Sequence, residues 1–209
     1  DKLIELGLVK LRGKMRTDST HILGVVHRLS QLELVTEVMR VTVKAAQEVA
    51  PDWTARYIPP AFAEGYEERF WEFGVSDTEA KERLTRSARD AGWFLEQVDA
   101  TAPSAVQALP ELKTLRVVMD QHFPDGPSGP PAKRPMGHDV IETPHERDAR
   151  YGIKRGQSWS GYKAQVTETC DEETPHLVTD IKVTGALDND SPELDDIQER
   201  LLEQGTPPG

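Results

Sequence analysis

Met15-Arg16-Thr17-Asp18-Ser19-Thr20-His21-Ile22-Leu23 is the stretch on which the reading of the fold turns. Thr17, Thr20 and Ile22 are β-branched and crowd a helix but fit a pleated surface, so a short strand around Asp18 is predicted. The Asp18 carboxylate is flanked by the small side chains of Thr17, Ser19 and Thr20. It offers the hard oxygen that Mg²⁺ takes, with room beside it for water and phosphate. A local turn hydrogen bond accounts for the same aspartate on sequence alone. His21 reads either as a phosphate contact or as an ordinary packed histidine.

Downstream of this strand the period changes at Val25. Leu29, Leu32, Val35, Val38, Met39, Thr42, Ala46 and Val49 recur at three- and four-residue spacing, which predicts an amphipathic helix to about Ala50, ended by Pro51. Pro60 opens a further helix carrying Phe62, Tyr66, Phe70 and Phe73. Ser76-Asp77-Thr78-Glu79 is a capping box for the next, which buries Leu84, Ala88, Ala91, Phe94, Leu95 and Val98. Pro103 and Pro110 sit where a first helical turn tolerates proline, and the last helix of the run carries Leu112, Leu115, Val118 and Met119. Trp53, Trp71 and Trp93 read as packing residues of this helical block.

Pro124-Asp125-Gly126-Pro127-Ser128-Gly129-Pro130-Pro131 then holds neither helix nor strand and reads as an exposed linker, with irregular polar chain to about Gly156. Two alternating runs follow, Trp159 to Thr169 and His176 to Thr184, joined by the acidic turn Cys170-Asp171-Glu172-Glu173-Thr174-Pro175. They predict an antiparallel hairpin with one buried face. Ser191-Pro192 opens a final helix with Leu194, Ile197, Leu201 and Leu202 on one side, ended by Gly205. The expected order is strand (1–24), helical insertion (25–123), linker (124–156), then hairpin and helix (157–209). This is an α/β arrangement in which the helices interrupt a three-stranded sheet.

Composition removes several classes of function. The single cysteine, Cys170, allows no intramolecular disulfide and no cysteine-based zinc site. The six histidines lie far apart without an HxxxH pair, and there is no GxSxG, phosphate-binding glycine loop or CxxC. No apolar run approaches the ~20 residues of a bilayer span, so no membrane partner is expected and a cytoplasmic protein fits. A net charge of −11 argues against a polyanionic partner. The charge is uneven, however: six Lys/Arg against three Asp/Glu in residues 1–30, seven against four in 132–163, and two against twelve in 164–209. Two basic islands leave contact with DNA open. The acidic group Asp188, Asp190, Glu193, Asp195 and Asp196 is explained by the start of a helix.

Two strings add a resemblance. Arg16 to Arg40, RTDSTHILGVVHRLSQLELVTEVMR, resembles the first catalytic motif of a group of bacterial insertion-sequence DDE transposases, with the helix that follows it. Asp148 to Ala186, DARYGIKRGQSWSGYKAQVTETCDEETPHLVTDIKVTGA, resembles the second block of the same group, and the helical stretch between resembles the group's insertion more loosely. The resemblance implies a partial RNase H-like catalytic fold. In that fold three acids hold two Mg²⁺ ions for strand cleavage and strand transfer at transposon ends and target DNA. Asp18 matches the first acid and would be both catalytic and a metal ligand. Lys154, Arg155, Tyr162 and Lys163 match positions that would meet DNA, and Cys170-Asp171 falls in the hairpin turn with a structural role.

The departures from the family pattern are equally specific. The family's second aspartate follows the last helix, where Thr206-Pro207-Pro208-Gly209 stands here, and its third acid lies further on. Asp190 matches an acidic position of the loop before that helix and is not a substitute for either. The resemblance therefore implies a fragment that is inactive alone, drawn from a parent transposase that acts as an oligomer. The alternative is a non-catalytic DNA- or protein-binding remnant built on the helical insertion.

Overall fold

The computed structural model describes residues 2–24, 29–154 and 156–205. Val25, Arg155 and Thr206-Pro207-Pro208-Gly209 lie outside the described residues. In chain order the elements are α1 (Lys2–Glu5), β1 (Met15–Leu23), α2 (Gln31–Val49), α3 (Pro51–Tyr57), α4 (Pro60–Glu64) and α5 (Asp77–Thr101). There follow α6 (Ser104–Gln107), α7 (Pro110–His122), β2 (Arg150–Lys154), β3 (Gln157–Thr169), β4 (Val178–Gly185) and α8 (Asp190–Glu203). The protein is mixed α/β and divides into two compact units: Asp1–Val25 with Ala149–Gly209, and Val26–Asp148. Among the described residues no helix is long and apolar enough to cross a membrane.

The helical unit follows its sequence pattern closely at α2, α5 and α7. Ser30 caps α2 by accepting from the Glu33 N–H, and Glu33 returns a bond from the Ser30 N–H. Ser76 caps α5 by accepting from the Glu79 N–H. Val35, Val38, Met39, Phe94, Val98, Leu115 and Val118 meet in one core with Phe94 fully buried. Trp53 joins it and donates its indole N–H to Thr101 Oγ1 at 3.0 Å.

Two expectations fail here. The helix opened by Pro60 stops at Glu64, because the chain beyond Gly65 is drawn to the start of α2: the Glu72 N–H donates to Glu33 Oε1 at 3.1 Å, and Glu72 takes the Ser30 hydroxyl. Phe73 is consequently 99% exposed. Trp71 is an exposed side chain, with the Arg69 guanidinium 4.2 Å from its ring centroid. The chain between α7 and β2 carries neither helix nor strand, and its irregular part buries Val140, Ile141, Glu142 and Thr143. It is tied to the helices by specific bonds: Gln121 brackets it through the Asp139 carbonyl and the Ile141 N–H, and His145 Nε2 meets Glu37 Oε1 at 2.6 Å.

The other unit holds an open antiparallel sheet of four strands among the described residues, with the three-stranded expectation short by β2. Long β3 pairs with β1 along one edge and with β4 along the other, while β2 pairs with its first five residues. β1 and β3 meet in register from Met15↔Thr169 to Leu23↔Gly161, although the whole helical unit separates them in sequence.

Gly161 controls the shape of this sheet. Its φ is +146°, and a Cβ there would lie 2.1 Å from the Ile22 carbonyl oxygen. Only glycine fits such a close approach. The contacts on either side show that β3 bends back at this point. Lys154 pairs with Gln157 and Ser19 pairs with Gln165, eight residues further along β3. On a flat strand that is ~27 Å. Yet Lys154 Nζ donates to Ser19 Oγ at 2.8 Å, and Trp159 stacks on His21 with ring centroids 3.8 Å apart. The arm of β2 and the start of β3 therefore folds over one face of the sheet.

Candidate functional site around Asp18

Alternation along β1 sends Asp18 to the exposed face, and Thr17, Ser19 and His21 to the half-buried one. Asp18 lies opposite Val166 of β3, which in turn lies opposite Ile181 of β4. Its neighbours on this face are thus largely apolar: Ile181, Val183 and Val178 are all more than half exposed. At one end Arg16 forms an ion pair with Glu168. Tyr162, opposite Ile22, shares the face with Asp18, four residues along or ~13 Å away.

A two-metal site needs several carboxylates converging on one point. Val166 and Ile181 occupy the positions across the sheet from Asp18, and Glu168 is engaged by Arg16. No group of three or more His, Cys, Asp or Glu side chains able to hold a metal ion exists among the described residues. These residues do not by themselves fit the Mg²⁺ pair that the sequence resemblance implies. They supply at most one ligand.

The opposite face brings together residues that the sequence did not connect. Lys163 is buried, and its ammonium donates to Asp190 Oδ1 at 2.7 Å and to the Asp188 carbonyl. Gln165 donates to the same carboxylate oxygen at 2.9 Å, and Lys154 stands 3.6 Å from Asp190 Oδ2. Hydrogen bonding from Lys163 holds the Asp190 carboxyl below the usual carboxylate range, helped by Gln165 and by the charges of Lys163 and Lys154, against some burial. Two of the side chains expected at DNA, Lys154 and Lys163, are therefore joined to one acid on the side of the sheet away from Asp18. Arg155, the third cation of that group, lies outside the described residues. Tyr162 is on the Asp18 side. His21 is packed against Trp159 rather than turned to the open face.

The pairing explains which face of the sheet is buried. The alternating runs predicted one buried face, and the buried one is polar: Lys163, Gln165, Thr167 and Thr169 from β3 with Asp180 and Thr184 from β4. Helix α8 covers it with complementary charge. Arg200 donates to Asp180 Oδ1 at 3.2 Å and Lys182 to Asp196 Oδ2 at 2.5 Å, while Ile197 and Leu201 supply the apolar contact. A buried charge is tolerated only when paired and hydrogen-bonded, and these pairs meet that condition. The one legible signal was the spacing of Asp190, Glu193 and Asp196 at three-residue steps, which puts three carboxylates along one side of a helix.

The hairpin turn has a structural partner. Asp171 accepts from the Lys14 N–H at 3.1 Å and lies 3.6 Å from Lys10 Nζ, and the Cys170 N–H donates to the Lys14 carbonyl. The start of β1 is fixed in register by these bonds.

No family model matches the chain, and no curated protein or solved structure matches it either. The functional reading stands on the residues and their geometry.

Proposed function

We propose that the chain belongs to the catalytic domain of a DDE transposase, with a partial RNase H-like fold and Asp18 as the first of its three acids. The observation that carries this reading is the position of Asp18. It sits mid-strand on the exposed face of β1, a strand that pairs with β3 across an intervening helical unit. A sheet split in sequence by a helical insertion, with an open carboxylate on its first strand, is the arrangement that the two quoted motifs imply. The reaction would be phosphoryl transfer on DNA: cleavage at the transposon end, then attack of the freed 3′-hydroxyl on target DNA. The partners would be those DNA ends and further copies of the parent transposase.

Mg²⁺ would be held jointly by Asp18 and by two acids that the described residues do not supply. With one such ligand the chain alone would neither cleave nor join DNA.

The test is transposition in cells carrying the gene with its flanking DNA, read by sequencing new insertion junctions. Asp18→Ala and Asp18→Asn should reduce insertions to background at unchanged protein level. Insertions at the parental frequency in either variant would remove Asp18 from the chemistry.

A further inference from the structure

Helix α5 carries Lys81, Arg83, Arg86 and Arg89, and the three arginines stand at three-residue steps along one side. The chain has 36 acidic residues against 25 basic ones, so partners for cations are abundant. Arg16, Arg40, Arg116 and Arg200 each have a carboxylate partner. Arg86 and Arg89 have no hydrogen bond or ion pair among the described residues, and the Arg83 guanidinium lies over the Phe70 ring, 3.8 Å from its centroid.

Arg83 and Arg86 border a cavity of about 300 Å³ within the helical unit. Phe62 and Phe70 form its aromatic walls. Polar groups line it as well: the buried Tyr66 hydroxyl donates to Asp90 Oδ2 at 2.8 Å beside buried Ser87. Burial, and then the Asp90 charge, push the Tyr66 ionisation well up, so that it stays a hydrogen-bond donor. Glu68 also lines it and offers an acceptor. Small-molecule sites have this make-up, concave and aromatic with a few placed polar groups, and this volume is at the small end of their range.

We propose that this cavity binds one nucleotide unit. The heterocycle would enter between Phe62 and Phe70 and stack on the Arg83 plane, with Glu68 accepting from its exocyclic amine. Its phosphate would be held by Arg86, and Arg89, outside the cavity lining but beside Arg86 on the same side of α5, would add charge. Guanidinium groups suit both tasks, since they bond phosphate oxygens in pairs and stack on rings. The unit can come from a free mononucleotide or from a single nucleic-acid strand, and the chemistry of recognition is shared. Exposed Trp71, with Arg69 against it, continues the aromatic and cationic surface beyond the mouth.

The full chain is titrated with 5′-mononucleotides by calorimetry and with a short dye-labelled single-stranded oligonucleotide by anisotropy. Saturable binding of the mononucleotide would identify a free-nucleotide site, and saturation by the oligonucleotide alone would identify a strand site. Both support the proposal, provided that Arg86→Ala weakens binding roughly tenfold or more, as loss of a charge-assisted bond requires. Arg86 is exposed and unpaired, so this variant keeps the fold, which circular dichroism checks, and Arg86→Lys should restore part of the affinity. No saturation with either ligand, unchanged affinity in Arg83→Ala/Arg86→Ala, or equal competition by inorganic phosphate would overturn it. The assay involves no strand transfer, so its failure would leave the Asp18 reading standing.

Discussion

Lys154 Nζ donates to Ser19 Oγ at 2.8 Å, from strand positions eight residues apart along β3. The contact exists because β3 folds back at Gly161, and it sorts the candidate residues into two sets. Asp18 and Tyr162 are on the open face of the sheet, while Lys154 and Lys163 are on the covered face with Asp190.

Gly161→Ala tests that bend. The added Cβ would collide with the Ile22 carbonyl and the Gly24 nitrogen at a positive φ, so the β1–β3 register must yield. The expected cost is about 3 kcal/mol or more, by the usual scale for forced backbone strain and overpacking. Urea denaturation of the chain measures it. A loss below about 1 kcal/mol would mean that the bend does not need glycine.

Asp190→Ala should destabilise the sheet unit by about 1–3 kcal/mol, because it leaves the buried Lys163 ammonium without its carboxylate. The range is set below that of a fully buried pair because Asp190 itself is partly exposed. Asp190 has a folded pKa below its unfolded value, so its contribution is present above the ordinary carboxylate range and is lost as pH falls through the depressed value. Comparing wild type and variant by urea denaturation at neutral and acid pH should show the difference closing on acidification. A difference that is constant with pH would rule out the ionic account.

His122 makes the helical unit acid-sensitive in the opposite chemical sense. It is fully buried, its Nδ1 accepts from Gln31 Nε2 at 3.0 Å, and its Nε2 has no partner among the described residues. Burial, with the Arg134 charge second, lowers its pKa from 6.5 to about 4. The unfolded chain therefore takes up the proton first. Stability is intact above the unfolded value and declines as pH falls between 6.5 and about 4. The total loss is on the order of 3 kcal/mol. Thermal unfolding of His122→Leu should show a shallower decline across that window than wild type. Parallel curves would place the acid sensitivity elsewhere.

Ile181→Thr removes a methyl-rich side chain that is already 61% exposed on the open face. Stability should change by no more than about 0.5 kcal/mol. Self-association of the chain, followed by light scattering, should fall, because an exposed apolar sheet face invites pairing with another molecule. A large stability loss would show that the face is covered.

How much of this was legible in the sequence depends on whether the deciding contacts are local. Helices α2, α5 and α7 were readable because their apolar residues recur at helical spacing, and Ser76 announces the start of α5. Strand β1 was readable from its β-branched residues. Strand β2 was not, since Arg150-Tyr151-Gly152-Ile153-Lys154 is short, has a glycine at its centre and is held by the start of β3. The identity of the covered sheet face was not legible for a related reason. Alternation of threonine, lysine and glutamine with apolar residues shows that one face is buried but not which, and the acid of α8 that decides it stands 25 residues or more along the chain from Lys163 and Gln165. At the candidate site the position of Asp18 was local and readable. The capture of Lys163 by Asp190 was not.

The central claim, the proposed place of Asp18 in a DNA strand-transfer site, is tested most directly with the purified product of the whole gene and an end-labelled duplex carrying the DNA that flanks the gene. On the proposed reading, nicking of that duplex requires a divalent cation in the wild type and is lost in Asp18→Ala, by at least about 10³-fold in rate. Duplex binding should stay within a few-fold of wild type. Cleavage at the wild-type rate by Asp18→Ala would contradict the account.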